Sequence, residues 1–415
     1  MEDSLWDAPF KEHRLANGME IAVVENREQP VVAMQLWYKI GSACDFPGKS
    51  GMAHFLEHMM FKGTSRLKEE EFSLRIQKWG GECNAFTSED STTYVSEIPS
   101  AYWKEVLEME AERMQSIRLR HFEEEKKVIM EERRRTMENQ PQGILYEQVR
   151  SVMFTHHPYR NPIIGWMEEL KSIQKEEMLR FYRSYYHPGN TFLTVVGDVD
   201  AEEVFSFTER VFGKIPVQQK SECQEVSEPL SEKYVRVRRP GLASFVYDSY
   251  LLPAPTKAPI FALELLATIL GEGMSSRLYS ALIENQKIAS SVDVDVSWLA
   301  KAGIFSFTLY PMRDVSYEKV IQATYEVVDR VRQDGVNDWE LAKAKSLALS
   351  ELILEKESNE ALAYYLGRLH ILDSWHRIHT IYDEITSVTG EDVVKALNEY
   401  IIPDLCTRGV FEALS

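Results

Sequence analysis

The chain repeats a helix–strand unit at an interval of about half its length. Residues 172–188 (SIQKEEMLRFYRSYYHP) align without a gap with residues 387–403 (SVTGEDVVKALNEYIIP), so that Pro188 meets Pro403, 215 residues later. Each segment has apolar residues at helical spacing, ends at a proline and is followed by a strand-like run. In a chain of 415 residues, this interval indicates an internal duplication and predicts two similar domains.

A polar stretch separates the two halves. Residues 216–232 (PVQQKSECQEVSEPLSE) show no apolar periodicity, which is typical of a linker. We therefore predict a first domain over 1–215, a linker over 216–232 and a homologous second domain over 233–415.

The order of the predicted elements indicates the fold class. Asn17-Gly18 lies between two alternating segments and predicts a β-hairpin. Strands come in clusters rather than in strict alternation with helices, which favours the α+β class. We expect two homologous α/β-roll domains, each a mostly antiparallel sheet with helices packed on one face. The predicted helices are 50–61, 68–79, 103–117 and 122–138, and the predicted strand regions are 82–87, 92–98, 192–198, 233–252 and 288–311.

Composition excludes several classes of function. The formal net charge of −18 argues against nucleic acid, which is bound through basic patches. No run of about 18 apolar residues occurs, so no membrane span is predicted. The acidic start MEDSLWDAPF lacks the apolar core of a signal peptide, so we expect a cytoplasmic protein, or a periplasmic one if a signal peptide was trimmed. The four cysteines are scattered and predict neither a structural disulfide nor a thiolate metal site.

The stretch GMAHFLEHMM, residues 51–60, carries candidate chemistry. Residues on a helix advance by about 100° each, so His54 and His58 lie about 40° apart on one face and one turn apart. Both imidazoles can then reach one metal ion. Glu57 lies about 60° to the other side of His54, where a carboxylate can accept a proton from a water molecule held at the ion. This is the zinc-hydrolase arrangement with the order of HExxH inverted.

Three fixed positions alone do not make a site, because a pair of core histidines beside a solvated glutamate gives the same pattern. A third protein ligand is therefore needed. The helical segment 122–140 (FEEEKKVIMEERRRTMENQ) is mostly charged, and most of it reads as a solvated face. We expect Val128, Ile129 and Met130 to anchor it to a core. Glu125 and Glu132 are seven residues apart, about two turns, and so lie on one face of this helix.

HFLEH, followed by a glutamate in EKKVIMEE, resembles the pitrilysin family of zinc metallopeptidases, which includes insulin-degrading enzyme and the mitochondrial processing peptidase. The resemblance covers nearly the whole chain, with further matches in GGECNAFTSEDSTTY, HPYRNPIIGW and YYHPGNTFLTVVGDVD. It implies zinc as the cofactor, with His54, His58 and Glu132 as the ligands. Glu131 is the alternative, since helix phase alone does not separate neighbouring residues.

The resemblance also implies the roles of other residues. Glu57 matches the general base, and Glu125 matches an acidic residue that supports the ligands from behind. In this family, the strand within GGECNAFT lies at a sheet edge where a peptide substrate adds as a further strand. Asn84, Ala85 and Phe86 are the candidate substrate contacts, with core packing as the alternative for Phe86.

The chain departs from the family pattern in its second half. Members with a complete active site have an arginine and, seven residues later, a tyrosine, in a pattern similar to RxxxxLAYSV; these residues hold the substrate and stabilise the oxyanion. Here the stretch is IENQKIASSV, with Ile283 in place of the arginine and Ser290 in place of the tyrosine. Neither side chain replaces the missing donor group. The resemblance thus implies a heterodimer with a homologous subunit that supplies this arginine–tyrosine clamp.

The sequence therefore predicts a zinc metalloendopeptidase subunit that cleaves peptides or unfolded segments. The alternatives are a homodimeric peptidase, a non-catalytic assembly subunit of the same fold and a metal-dependent peptide-binding module. Intact His54, Glu57, His58 and Glu132 argue against the non-catalytic subunit, because such subunits commonly lose zinc ligands.

Overall fold

The computed structural model describes residues 9–217, 228–240 and 243–414. The predicted linker 216–232 lies largely outside the described residues. Every helix in the described part is too short or too polar to cross a lipid bilayer.

Two β-sheets form the framework. The strands are β1 Lys11–Arg14, β2 Glu20–Glu25, β3 Val31–Tyr38, β4 Glu82–Thr87, β5 Thr92–Pro99, β6 Thr191–Gly197, β7 Lys233–Pro240, β8 Phe245–Leu252, β9 Ala289–Leu299, β10 Ala302–Pro311 and β11 Thr407–Leu414. The first sheet has the order β1-β2-β6-β3-β5-β4 and the second β7-β11-β8-β10-β9. Only β2 with β6 and β7 with β11 pair in parallel among the described strands. The predicted α+β class with mostly antiparallel sheets is confirmed.

The helices fall between and after the strands. They are α1 Met52–Met59, α2 Glu71–Lys78, α3 Trp103–Ser116, α4 Phe122–Arg133, α5 Pro141–Met153, α6 Met167–Ser172, α7 Lys175–Tyr185, α8 Ala201–Phe212, α9 Ile260–Gly271, α10 Tyr317–Asp334, α11 Asp338–Leu354, α12 Asn359–Leu372, α13 Ile381–Ser387 and α14 Gly390–Tyr400. A π-helical segment, Arg134–Glu138, continues α4. The predicted helices and strands, and the hairpin at Asn17-Gly18, are confirmed to within a few residues.

The repeat seen in the sequence recurs in the topology. Without β1, the first sheet has the same strand order as the second, with β2, β6, β3, β5 and β4 corresponding to β7, β11, β8, β10 and β9. In the sequence alignment of the two segments, α7 corresponds to α14. Both helices begin with a capping box, formed by Gln174 and Glu177 in α7 and by Thr389 and Asp392 in α14. Similar local signals therefore start the same helix in each unit.

The chain divides into two compact units that are not contiguous in sequence. The first unit contains the chain up to Arg134, the described residues from Asn161 to 217, and Ile353–His379. The second unit contains Arg135–Arg160, the described residues from 228 to Leu352, and the chain from Thr380 onwards. The units therefore differ from the predicted halves 1–215 and 233–415 at two places, α5 and α12.

Each of these two helices belongs by sequence to one half of the chain and packs in the unit formed mainly by the other half. There it covers a sheet face that would otherwise be open. In the first unit, α12 packs Leu362, Ala363 and Leu366 against Trp37 and Phe192. Gly367 lies so close to Trp37 that a Cβ there would come within 2.2 Å of the ring. Because side chains alternate along a strand, the buried residues Val32, Met34 and Leu36 of β3 face the opposite side, where α3 packs on this strand.

The second unit has the same arrangement. There α5 packs Leu145 and Val149 against Phe245 and Phe411, while α9, α10 and α14 also pack on strands of this sheet. The sequence predicts helices on one face of each sheet. The structure adds one helix on the other face, taken from the other half of the chain.

The expectation that the cysteines form no disulfide is wrong. Cys44 is disulfide-bonded, whereas Cys83 and Cys406 are free thiols. Spacing along the chain does not show which loops the fold brings within the distance of about 4–7 Å between Cα atoms that a disulfide requires.

Candidate metal centre

The HxxEH motif lies on α1, whose N-terminal end is capped by a carboxylate from the preceding loop. Gly51 precedes the helix with φ of +90° and offers no capping side chain. Asp45 instead accepts hydrogen bonds from the backbone N–H groups of Gly51 at 2.6 Å and Ala53 at 2.8 Å. Burial raises the pKa of Asp45 well above its usual range. No pattern in the sequence indicates this role of Asp45, because the residue lies outside the helix that it caps.

A second segment, NPIIGW, packs against the same helix start. The backbone N–H of Trp166 donates to Ser50 Oγ at 2.9 Å, and the backbone N–H of Ser50 donates to Glu169 Oε2 at 2.8 Å. Gly165 has φ of +84°, and a Cβ there would lie 2.2 Å from the Ser50 carbonyl oxygen. The segment was quoted for its family resemblance; the structure shows that it fixes the position of α1.

We predict that Gly165→Ala destabilises the protein by at least about 2 kcal/mol, because strain at positive φ adds to a backbone clash. Gly48→Ala is the matched control, since Gly48 also has positive φ (+71°) but open space at the Cβ position. It should cost only about 1–2 kcal/mol, from strain alone. Urea unfolding of both variants measures the difference, and equal losses would show that the contact with Ser50 contributes nothing.

The structure brings His54, His58 and Glu132 together. One ligand atom from each lies within 4.8 Å of the others, and they form the one such group of three found among the described residues. His54 Nε2 is 3.8 Å from Glu132 Oε1, and His58 Nε2 is 3.6 Å from Glu132 Oε2. These separations are longer than hydrogen bonds of about 2.7–3.2 Å. They are close to the roughly 3.4 Å between neighbouring ligand atoms of a tetrahedral zinc ion.

The surroundings of the two imidazoles suit a cation. His58 Nδ1 lies 2.9 Å from Glu125 Oε1; in the tautomer that donates the Nδ1 proton to this carboxylate, Nε2 faces Glu132 with a free lone pair. Burial, with a smaller effect from His58, lowers the pKa of His54 to about 3, so this ring is neutral. Burial opposes a charge on His58, but Glu125, Glu57 and Glu132 together raise its pKa. The same negative field favours a metal ion.

The structure distinguishes the two neighbouring glutamates on α4. Glu132 faces the histidines, whereas the Glu131 side chain is 71% exposed and pairs with Arg134 at 2.8 Å. Ile129 is fully buried and anchors the helix, as predicted, and Met130 is partly buried. The prediction for Val128 is wrong: its side chain is 53% exposed, because it lies on the outer face of the helix.

Charged residues extend behind His58. Glu125 Oε2 accepts from Lys62 Nζ at 2.7 Å, and Lys62 also pairs with Glu69 at 3.2 Å. Although burial opposes it, these bonds from His58 and Lys62 lower the pKa of Glu125. Glu125 is thus held as a carboxylate that orients His58. Glu125 was predicted here from the family resemblance, whereas Lys62, four residues after His58 on the same segment, was not predicted.

Glu57 lies next to His58 and is 9% exposed. Its Oε2 accepts a hydrogen bond of 2.7 Å from Thr87 Oγ1. Burial raises the pKa of Glu57, with the Thr87 bond acting in the opposite direction. A carboxylate with a raised pKa is closer to the value that a general base needs near neutral pH. Thr87 was not singled out in the sequence.

The candidate substrate strand is an edge strand. β4 ends the first sheet and pairs only with β5 among the described strands. Asn84 is exposed, and its Oδ1 accepts from the Ala85 N–H at 2.9 Å. Phe86 is half-buried, with ring centroids 5.9 Å from Trp37 and 5.6 Å from Tyr364. These contacts favour the core-packing alternative for Phe86.

The two departures from the family pattern lie in the second unit. Ile283 is in a π-helical segment, Tyr279–Asn285, and is partly buried. Ser290 is exposed near the start of β9, where its Oγ donates to the Tyr310 carbonyl at 3.2 Å. Neither side chain has the donors of an arginine or a phenol.

Comparison with known proteins identifies the family. A family model described as insulinase (peptidase family M16) matches residues 20–166, and one described as peptidase M16 inactive domain matches residues 172–347. The zinc protease PqqE of Helicobacter pylori is 29% identical over 395 residues, which cover 93% of this chain and 89% of that protein. The probable mitochondrial-processing peptidase subunit beta of Arabidopsis thaliana is 26% identical over 404 residues, 93% of this chain and 75% of that one.

A solved structure agrees over the whole length. The crystal structure of a protease from Helicobacter pylori superposes with a TM-score of 0.93 at 28% identity, covering 98% of this chain and 100% of that one. The two family models together match more than half of the chain. The resemblance inferred from the motifs is confirmed, and the chain belongs to the M16, or insulinase, family of peptidases.

Proposed function

We propose that this chain is a zinc metalloendopeptidase subunit, in which His54, His58 and Glu132 hold one Zn²⁺. The observation that carries this proposal is the convergence of three ligand atoms at separations too long for hydrogen bonds. Two imidazoles and one carboxylate are a typical ligand set for catalytic zinc, which keeps a fourth position open. Several relatives, among them the Helicobacter pylori protein, are named zinc proteases.

Zinc bound at this site would polarise the scissile carbonyl and make water more acidic. Glu57 is placed to accept the proton of the attacking water and to deliver it to the leaving amine. Its burial and the hydrogen bond from Thr87 hold the carboxylate in one place beside the proposed ligands. Glu125 and Lys62 keep the His58 ring in the orientation that directs Nε2 towards the centre.

A peptide would bind by adding a strand to the open edge of β4. The Ala85 N–H is bonded to the side chain of Asn84 rather than to another strand, so this group is directed to the free edge. Backbone pairing there gives affinity without requiring a particular sequence. Asn84 and Ala85 remain the proposed substrate contacts. Phe86 supports the strand from the core side.

The test is the Glu57→Gln variant. It should keep one zinc per chain and the fold, but lose cleavage of a quenched-fluorescence peptide library by about 10²-fold or more, because the amide cannot accept the proton. Zinc content by mass spectrometry and initial rates are measured on the same preparations, in the presence of a clamp-bearing subunit if activity requires one.

The matched control is Glu131→Gln, which makes the same chemical change on the exposed side of α4 and should alter neither quantity. Unchanged turnover in Glu57→Gln would refute the role of Glu57. Stoichiometric zinc without cleavage under any condition would indicate a metal-dependent peptide-binding module instead.

A further inference from the structure

The Glu57 carboxylate depends on one hydrogen bond. Thr87 Oγ1 donates to Glu57 Oε2 at 2.7 Å, and this is the bond that the described residues give to that carboxylate. A glutamate side chain has three rotatable torsions, so a carboxylate without such a bond would move among several positions. The position of this carboxylate is therefore set from outside α1.

The donor belongs to the strand that the proposed function assigns to the substrate. Thr87 is the last residue of β4, opposite Thr92 of β5. The two residues that follow Thr87 are hydrogen-bonded to a different loop. The Ser88 carbonyl accepts from the Ser42 N–H at 3.0 Å, and the Glu89 carbonyl accepts from the Ala43 N–H at 2.9 Å. These hydrogen bonds hold the end of the edge strand in place. The hydroxyl of Thr87 in turn holds the Glu57 carboxylate to this strand.

We infer that Thr87 is a positioning residue, whose hydroxyl fixes the Glu57 carboxylate relative to the substrate edge of β4. The same strand would then position both a peptide paired along β4 and the Glu57 carboxylate, so the distance between the scissile bond and the carboxylate would be fixed. The inference rests on the proposed function, in which Glu57 is the base and β4 binds the peptide. It adds a residue whose hydroxyl acts on the rate of the reaction and not on the binding of zinc or substrate.

Three variants separate this role from a structural one. Thr87→Val keeps the shape and removes the hydroxyl, and Thr87→Ser keeps the hydroxyl. Thr93→Val is the matched control: Thr93 lies on β5 opposite Phe86, is fully buried and has an Oγ1 without a hydrogen-bond partner in the described structure. Removing that hydroxyl should change nothing.

Steady-state kinetics and zinc content give the first readout. Thr87→Val should lower kcat by about 10–10²-fold, as expected for a misplaced catalytic group, with KM and zinc stoichiometry unchanged. Thr87→Ser and Thr93→Val should stay within about three-fold of the unmodified protein, a margin well below the loss expected from misplacement. Full kcat in Thr87→Val, or an equal loss in Thr87→Ser, would overturn the inference.

A double-mutant cycle in the zinc-free protein gives a readout independent of activity. Thr87→Val should lower the urea midpoint when Glu57 is present, because a buried carboxylate loses its donor. In a Glu57→Ala background the same change should have no such effect. Additive losses would show that the two side chains are not coupled. If the unmodified protein cleaves no peptide under any condition, the proposed function fails instead, and the role of Thr87 in it falls too.

Discussion

Changing Glu132 to Gln is expected to leave the purified protein without stoichiometric zinc and without peptide cleavage. The amide lacks the negative charge that completes the ligand set, and both Nε2 atoms of the proposed site face this carboxylate at 3.6–3.8 Å. Dialysis against metal-free buffer followed by mass spectrometry for zinc measures the loss. The affinity for zinc can be followed separately by competition with a chelating dye.

Glu131→Gln is the control here too, because it changes the adjacent residue, whose side chain is 71% exposed. This variant should retain one zinc per chain. Full retention of zinc by Glu132→Gln would show that the third ligand is another group. Loss of zinc from Glu131→Gln alone would assign the ligand to Glu131, against the geometry of α4.

The second large effect concerns the working assembly. We predict that the protein alone cleaves peptides poorly, and that a subunit of the same fold with the arginine–tyrosine pair raises the rate by about 10²–10³-fold, the usual contribution of an oxyanion donor. Ile283 and Ser290 do not supply this donor.

Mixing experiments test this prediction. Initial rates are measured for the protein alone, with the clamp-bearing subunit, and with that subunit after its arginine or tyrosine is replaced. The increase should depend on both residues, while zinc stays bound to His54, His58 and Glu132. If the isolated protein cleaves unfolded peptides at a rate that no partner increases, it works as a homodimer or a monomer, and another group supplies the donor.

The two units share a topology but not the proposed zinc site, which is the one group of this kind among the described residues. In the first unit the helix that follows β3 is α1, with its two histidines. In the second unit the helix that follows β8 is α9, IFALELLATILG, which contains no histidine. The topology was retained in both copies, since strand order depends on apolar patterns. Metal ligation depends on a few individual residues, and these differ.

The sequence by itself determined the features that arise within one element. Helical geometry alone puts His54 and His58 on one face with Glu57 beside them, because the angle per residue is the same in every α-helix. The Asn17-Gly18 turn and the apolar periodicities of the helices and strands predicted the element bounds for the same reason, because these signals are local. The repeat predicted two units with related sheets.

Only the tertiary structure decided which elements meet. Glu132 rather than Glu131 faces the histidines because of how α4 is rotated against α1. Asp45, Lys62 and Thr87 act on α1 from outside the helix, where periodicity carries no information. The exchange of α5 and α12 between the halves likewise follows from which sheet faces remain uncovered. Such contacts depend on the packing of side chains distant in sequence, so they are fixed only when the whole core assembles.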